Sequence, residues 1–248
     1  MAHIIAHPGG RARFPLQGMG RRLWSQVGCD CPLCGARVAG ARLCGGCEAD
    51  ITALPGGRPR CPGCALRLPA TASACPACLG ASRAYGRTIA AFDYVPPADA
   101  LIQMLKTRLR LSMAPVLARL MAAEVRRHGG LPAGSLLVPV PASRVSLRLR
   151  GMNPAGEIAR SLAAELALPL ARGALRRRRE TPRQTALGRR ARQQGATALF
   201  LGSSRVRGRH VAVVDDVMTT GSTVQAAASA LLAAGAASVT ILVAARTP

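Results

Sequence analysis

Aromatic side chains are nearly absent, with Trp24, Tyr85, Tyr94 and three phenylalanines making up 2% of the 248 residues. A core built around large rings is therefore excluded. The 49% hydrophobic fraction is mostly Ala, Leu and Val, which suits layers of helix on sheet. Lysine is scarcer still, Lys106 standing alone among 34 basic residues, and only 11 residues are acidic, so the formal charge is +23. Such a field draws polyanions, whether nucleic acid, phosphorylated metabolites or an anionic membrane surface, and it speaks to association rather than to fold. No apolar run of about 18 residues escapes charges and breakers, which argues against a membrane span. Residues 1–28 contain Arg11, Arg13, Arg21 and Arg22 but no apolar block or small-residue cleavage site, unlike a secretory signal, so a cytoplasmic location is expected. There is no Walker lysine motif and no dinucleotide glycine fingerprint. His3, His7, His128 and His210 announce no general base, and His210 reads as a surface residue before a strand.

Cysteine, by contrast, is abundant and confined. All nine cysteines lie at residues 29–80, a zone rich in Gly and Pro with little apolar periodicity, which by itself buries too little surface to fold. Eight of them form four Cys-x-x-Cys pairs: Cys31 with Cys34, Cys44 with Cys47, Cys61 with Cys64, and Cys75 with Cys78. Each half of the zone thus supplies four sulfurs from two tight turns, the pattern of a closed, tetrahedral structural Zn²⁺ site. Disulfides are the competing reading; the odd count and the expected reducing compartment weigh against them. Cys29 is left over as a bystander.

From Tyr85 onward strand and helix signals alternate. Strands are expected at Arg87–Tyr94, Ser135–Val140, Val211–Val214 and Val239–Val243, and helices at Ala98–Lys106, Ala114–His128, Met152–Ala167 and Ser222–Ala234. The last strand, helix and strand make a crossover unit, so the fold class is α/β with an at least partly parallel sheet flanked by helices. Arg172–Gly195 is a long polar stretch and a candidate mobile loop. Three zones follow: a poorly ordered extension at 1–28, a double zinc-binding domain at 29–80, and an α/β domain at 81–248.

The strongest chemical signal is VAVVDDVMTTGSTV, Val211 to Val224. An apolar strand ends in Asp215 and Asp216, acceptors suited to a vicinal diol, and a loop of Thr219, Thr220, Gly221, Ser222 and Thr223 then opens a helix, whose N-terminus favours an anion. A diol followed by a phosphate describes a ribose 5-phosphate. The alternative is that Asp216 accepts a loop hydrogen bond and Ser222 merely caps the helix.

This segment resembles the phosphoribosyl pyrophosphate loop of type I phosphoribosyltransferases. Together with the knuckles, Lys106, VPVP at Val138–Pro141, RGMN at Arg150–Asn153, Thr181 and Gln184, it resembles the ComF family of bacterial competence-associated proteins over about residues 29 to 246. The resemblance implies a type I phosphoribosyltransferase-like fold with a small zinc-ribbon domain. It implies that Asp215 and Asp216 bind the ribose hydroxyls and Thr219–Thr223 the 5-phosphate. The turn at Pro139–Ala142 would then face the pyrophosphate, with Arg144, Arg148 and Arg150 nearby, and Lys106 would contribute a compact cation. The implied activity is transfer of ribosyl phosphate from phosphoribosyl pyrophosphate, with Mg²⁺, to a nitrogen nucleophile. A second implied role is that of a non-catalytic factor in DNA uptake, binding single-stranded DNA and partners in the uptake machinery. Two positions depart from the family pattern: Pro154 stands where glutamine is usual, and Gln194 and Gly195 stand where an asparagine is expected.

Overall fold

The computed structural model describes residues 28–53, 59–68, 75–80, 82–178 and 199–248. The extension at 1–28, apart from Gly28, and Thr181, Gln184, Gln194 and Gly195 lie outside them, as does most of the Arg172–Gly195 stretch.

In the cysteine zone, β1 (Gly28–Asp30) pairs antiparallel with β2 (Arg37–Ala39), followed by α1 (Gly45–Thr52) and a 3-10 turn at Pro76–Cys78. Then come β3 (Arg87–Asp93), α2 (Asp99–Lys106), α3 (Met113–Arg127), β4 (Leu136–Pro139), α4 (Arg144–Arg150) and α5 (Pro154–Glu165). A short hairpin, β5 (Leu175–Arg177) with β6 (Phe200–Gly202), precedes β7 (His210–Met218), α6 (Ser222–Ala233) and β8 (Ser238–Arg246).

The main sheet is wholly parallel, in the order β3-β8-β7-β4. Parallel strands covered on both faces read as continuous apolar runs, and β7 and β8 do. Alternation divides their side chains between two cores. Ala212, Val214, Leu242 and Ala244 join Leu101, Leu117, Ile158 and Leu162 under α2, α3 and α5, whereas Val211, Val213, Ile241 and Val243 join Val224 and Leu231 under α6. With rings so scarce, Phe92 and Phe200 are the largest fully buried side chains, one in each core.

The two cysteine groups straddle this sheet. Cys31, Leu43 and Ile51 belong to the α3 core, while Cys61, Cys64 and Cys75 belong to the α6 core. Both abut the edge strand. α1 contacts β3, Pro62 O accepts from Thr88 N (2.8 Å), and Asp93 is paired by both Arg60 and Arg67. An exposed strand edge is a template for wrong pairing, and here the knuckles cover it. The opposite edge, β4, is flanked by Pro169–Ala171 through Leu137.

Strands and helices fall where the apolar patterns place them, with three differences. β7 and β8 do not stop at Val214 and Val243, but run on through both aspartates to Met218 and through to Arg246 respectively. The start of the polar stretch, Leu175–Arg177, is a strand rather than loop, because Leu175 and Phe200 are buried against the α6 core. Arg144–Arg150 forms a short helix that apolar periodicity did not signal.

Candidate functional site

Parallel strands bring their carboxyl ends to one edge of the sheet, where ligands of open α/β folds bind. That edge gathers Asp215, Asp216 and Met218 from β7, the Pro139 end of β4, and Arg246 from β8. Pro139 pairs with Val214, and Val140 N donates to Val214 O (2.9 Å), so the 139–142 turn lies beside the aspartates. Asn153 Nδ2 donates to Val140 O (2.9 Å) and pins that turn. The unusual Pro154 is the first residue of α5, where its missing N–H costs nothing.

Strand alternation separates the two carboxylates. Asp216 continues the Ala212, Val214 face toward α2, where Lys106 Nζ lies 2.8 Å from its Oδ1. Asp215 continues the other face and lines a narrow cleft with Thr219, Gly221, Ser222 and Thr223. Desolvation, and then the charge of Asp216, push the Asp215 carboxyl up to about 8, against the opposing pull of the Asp216 N–H and Lys106.

Helix α6 opens without a side-chain cap. Its N-cap is Gly221 (φ +82°), and Ser222 is the first helical residue rather than the cap. Ser222 instead accepts from Thr220 Oγ1 (3.1 Å) and turns its own N–H back to that oxygen (3.4 Å), which leaves the N–H groups of Thr223 and Val224 in the first turn for whatever occupies the loop. The left-handed backbone at 221 favours glycine, and an added Cβ would stand 2.6 Å from Met218 Cε, the movable end of a flexible side chain. Arg144 and Arg148 are exposed on α4, Arg150 is half-buried, and among the described residues none of the three forms an ion pair. Lys106, Asp215, Asp216, Pro139 and the 219–223 loop therefore share one edge, whereas among the described residues no hydrogen bond or ion pair of Arg144 or Arg150 ties it to the loop. Larger clefts of about 340 and 310 Å³ lie away from this edge, one beside Arg178 and α6, the other between the ends of α3 and α5.

The cysteines assemble as two groups of four, Cys31, Cys34, Cys44, Cys47 and Cys61, Cys64, Cys75, Cys78, the sulfurs of each all within 4.8 Å of one another. Measured pairs stand at 3.5 Å (Cys34–Cys44), 3.7 Å (Cys61–Cys78) and 3.6 Å (Cys64–Cys75). Disulfide sulfurs would be about 2.0 Å apart, and tetrahedral Zn²⁺ with bonds of about 2.3 Å sets its sulfurs about 3.8 Å apart. The groups could hold zinc. Desolvation raises the Cys31 thiol, but backbone N–H groups of Cys44, Cys34 and Leu33 outweigh it and bring it down to about 6. Desolvation and the neighbouring thiols push Cys78 up to about 12. A metal would replace that shared proton load.

Sequence reasoning did not single out Arg246, Tyr85 or Gln225, which stand around the same loop. The one signal was a lone arginine in the otherwise apolar strand SVTILVAAR.

A parallel sheet with helices on both faces, and carboxylates leading through a hydroxyl-rich loop to an uncapped helix, defines a phosphoribosyltransferase-like domain. The phosphoribosyl transferase domain family matches residues 145–248. The DNA utilization protein YhgH of Salmonella typhi is 37% identical over 185 residues, covering 73% of this chain and 81% of that one. Its counterpart in Escherichia coli K12 is 36% identical over 184 residues, with the same coverage. Competence protein F of Haemophilus influenzae is 29% identical over 192 residues, 75% of this chain and 82% of that one. The chain belongs to the ComF family. Among the described residues no helix is long and apolar enough to cross a membrane.

Proposed function

We propose that this protein binds phosphoribosyl pyrophosphate as its Mg²⁺ complex at the β7–α6 loop, and that it serves DNA uptake as a phosphoribosyltransferase-like protein. The observation that carries the reading is the juxtaposition of Asp215 with the hydroxyl-lined N-terminus of α6, which has no side-chain cap, Asp216 standing next to it in β7. The carboxylates accept from the ribose diol, with Asp215, on the loop side, contributing more than Asp216. Backbone N–H groups and the hydroxyls of Thr219, Thr220, Ser222 and Thr223 take the 5-phosphate. Lys106 and the Pro139 turn stand at the same sheet edge, and Arg144 and Arg150 on α4 would reach the pyrophosphate from beyond that turn. Mg²⁺ would neutralise that pyrophosphate, while the carboxylates offset positive charge developing at the anomeric carbon. Residues 29–80 would be the zinc-holding unit and 81–248 the ligand-binding unit, in a cytoplasmic protein. The names of the relatives, DNA utilization protein and Competence protein F, support the link to DNA uptake.

Ligand binding to the native state alone must raise stability. At a concentration about 100 times the dissociation constant the gain is on the order of 2.7 kcal/mol, read as a higher melting temperature. Asp215→Asn should remove most of the shift and Asp216→Asn part of it. Absence of any Mg²⁺-dependent shift in the wild type at millimolar ligand would refute the reading. Pyrophosphate release across a panel of nucleobases and amines then separates turnover from binding alone.

A second reading, a non-catalytic factor that binds single-stranded DNA, is favoured by the exposed and unpaired Arg144 and Arg148 on a chain of charge +23.

A further inference from the structure

Arg246 is buried, 6% exposed, in the last turn of β8 before the sheet edge. No carboxylate pairs with it among the described residues. Its guanidinium is met only by backbone carbonyls: Nε donates to Cys64 O (2.9 Å), and Nη1 donates to Met218 O (3.0 Å) and to Thr247 O. A buried cation without a counter-ion is costly, so a negative charge nearby is required. A second guanidinium repeats the anomaly. Arg83 lies against Gly63, where an added Cβ would stand 2.5 Å from its Cζ, and its buried Nε and Nη1 have no hydrogen-bond partner among the described residues.

Both arginines thus converge on the Cys61–Cys64 turn. Four thiolates around Zn²⁺ carry a net charge of two negatives, which is the counter-ion these groups lack. Among the described residues the first cysteine group has no such buried arginine, since Arg37 beside it pairs with Asp30, Arg119, which reaches Ala41 O, pairs with Glu165, and Arg42 is exposed.

The same guanidinium fork ends at the ligand loop. Met218 is the residue before Thr219, and its carbonyl accepts from both Arg246 Nη1 and Thr247 N (3.0 Å). Its side chain lies under Gly221. Around it, Ala84 N donates to Gln225 Oε1 in the first turns of α6 (3.2 Å), and Thr88 Oγ1 donates to Gly63 O (2.8 Å). The knuckle and the loop are therefore bonded to one buried side chain.

We propose that Arg246 is a positioning residue that ties the metal charge of the second cysteine group to the conformation of the 218–223 loop, so that loop order depends on the second group and not on the first. The consequence for phosphoribosyl pyrophosphate affinity rests on the preceding functional reading, whereas the coupling itself does not.

The test is amide hydrogen exchange on the full chain without ligand, with zinc content measured on every variant. Cys78→Ser in the second group should speed exchange at Thr219–Thr223 about tenfold or more, while Cys34→Ser in the first group should leave it within about twofold. Arg246→Met should match Cys78→Ser while Val211–Val214 stays protected. Arg246→Lys, which keeps the charge but not the fork, should fall between Met and wild type, and it decides the matter if the Met variant does not fold. Equal acceleration by both cysteine variants, or wild-type exchange in Arg246→Lys, would overturn the proposal. Failure of the wild type to bind phosphoribosyl pyrophosphate would instead overturn the function and leave the coupling standing.

Discussion

Asp215 carries a pH signature. Held at about 8 against an ordinary 3.8, it binds a proton in the native state that the unfolded chain has already released. Its contribution to stability therefore falls as pH rises from about 4 to about 8 and is flat outside that window. A ribose diol donates best to the ionised carboxylate, so the ligand-induced rise in melting temperature should grow from pH 6 to pH 8. Asp215→Asn should flatten both trends, and thermal melts of the two proteins at the two pH values check this. At Gly221 the backbone is left-handed: alanine there costs about 1–2 kcal/mol and displaces the terminal methyl of Met218, so Gly221→Ala should lower the urea midpoint and reduce the ligand shift. Removing the Lys106 cation strands the buried Asp216 carboxylate, and Lys106→Met should destabilise the protein by about 3 kcal/mol or more, read by the same denaturation.

Among the elements, those that bury continuous apolar runs were legible in the sequence, and those held by something else were not. β7, β8, α3 and α5 announce themselves through periodicity, and the eight paired cysteines through spacing. The helix Arg144–Arg150 escaped because its side chains alternate Leu with Arg and none is buried. The hairpin of β5 and β6 escaped because three residues per strand give too short a pattern. Alternation along β7, visible only once the strand was seen to continue to Met218, is what turned the two aspartates to opposite faces. The role of Ser222 changed in the same way, since the helix begins one residue earlier than a capping serine requires. The placement of the knuckles on opposite faces of the sheet has no local signature at all. The zinc expectation belongs at this scale: purified, reduced protein should contain two zincs per chain by elemental analysis, and strong chelation should uncover β3 and promote aggregation.

At the scale of the whole molecule the charge of +23 predicts weak binding of single-stranded DNA through phosphates, since rings for base stacking are few. The logarithm of the binding constant should fall steeply and linearly with the logarithm of salt concentration. A flat salt response or a strong sequence preference would contradict that mode.

β3 has a consequence for the order in which the chain is assembled. Among the described residues its one strand partner in the sheet is β8, which lies roughly 150 residues further along. Each cysteine group, in contrast, closes within about one short loop of sequence. On the ribosome, both metals can load while the strand they flank still waits for β8 to emerge. Nascent chains stalled before Ser238 should therefore hold zinc yet leave the Arg87–Asp93 backbone unprotected, making the metal groups the holders of an unpaired edge during synthesis.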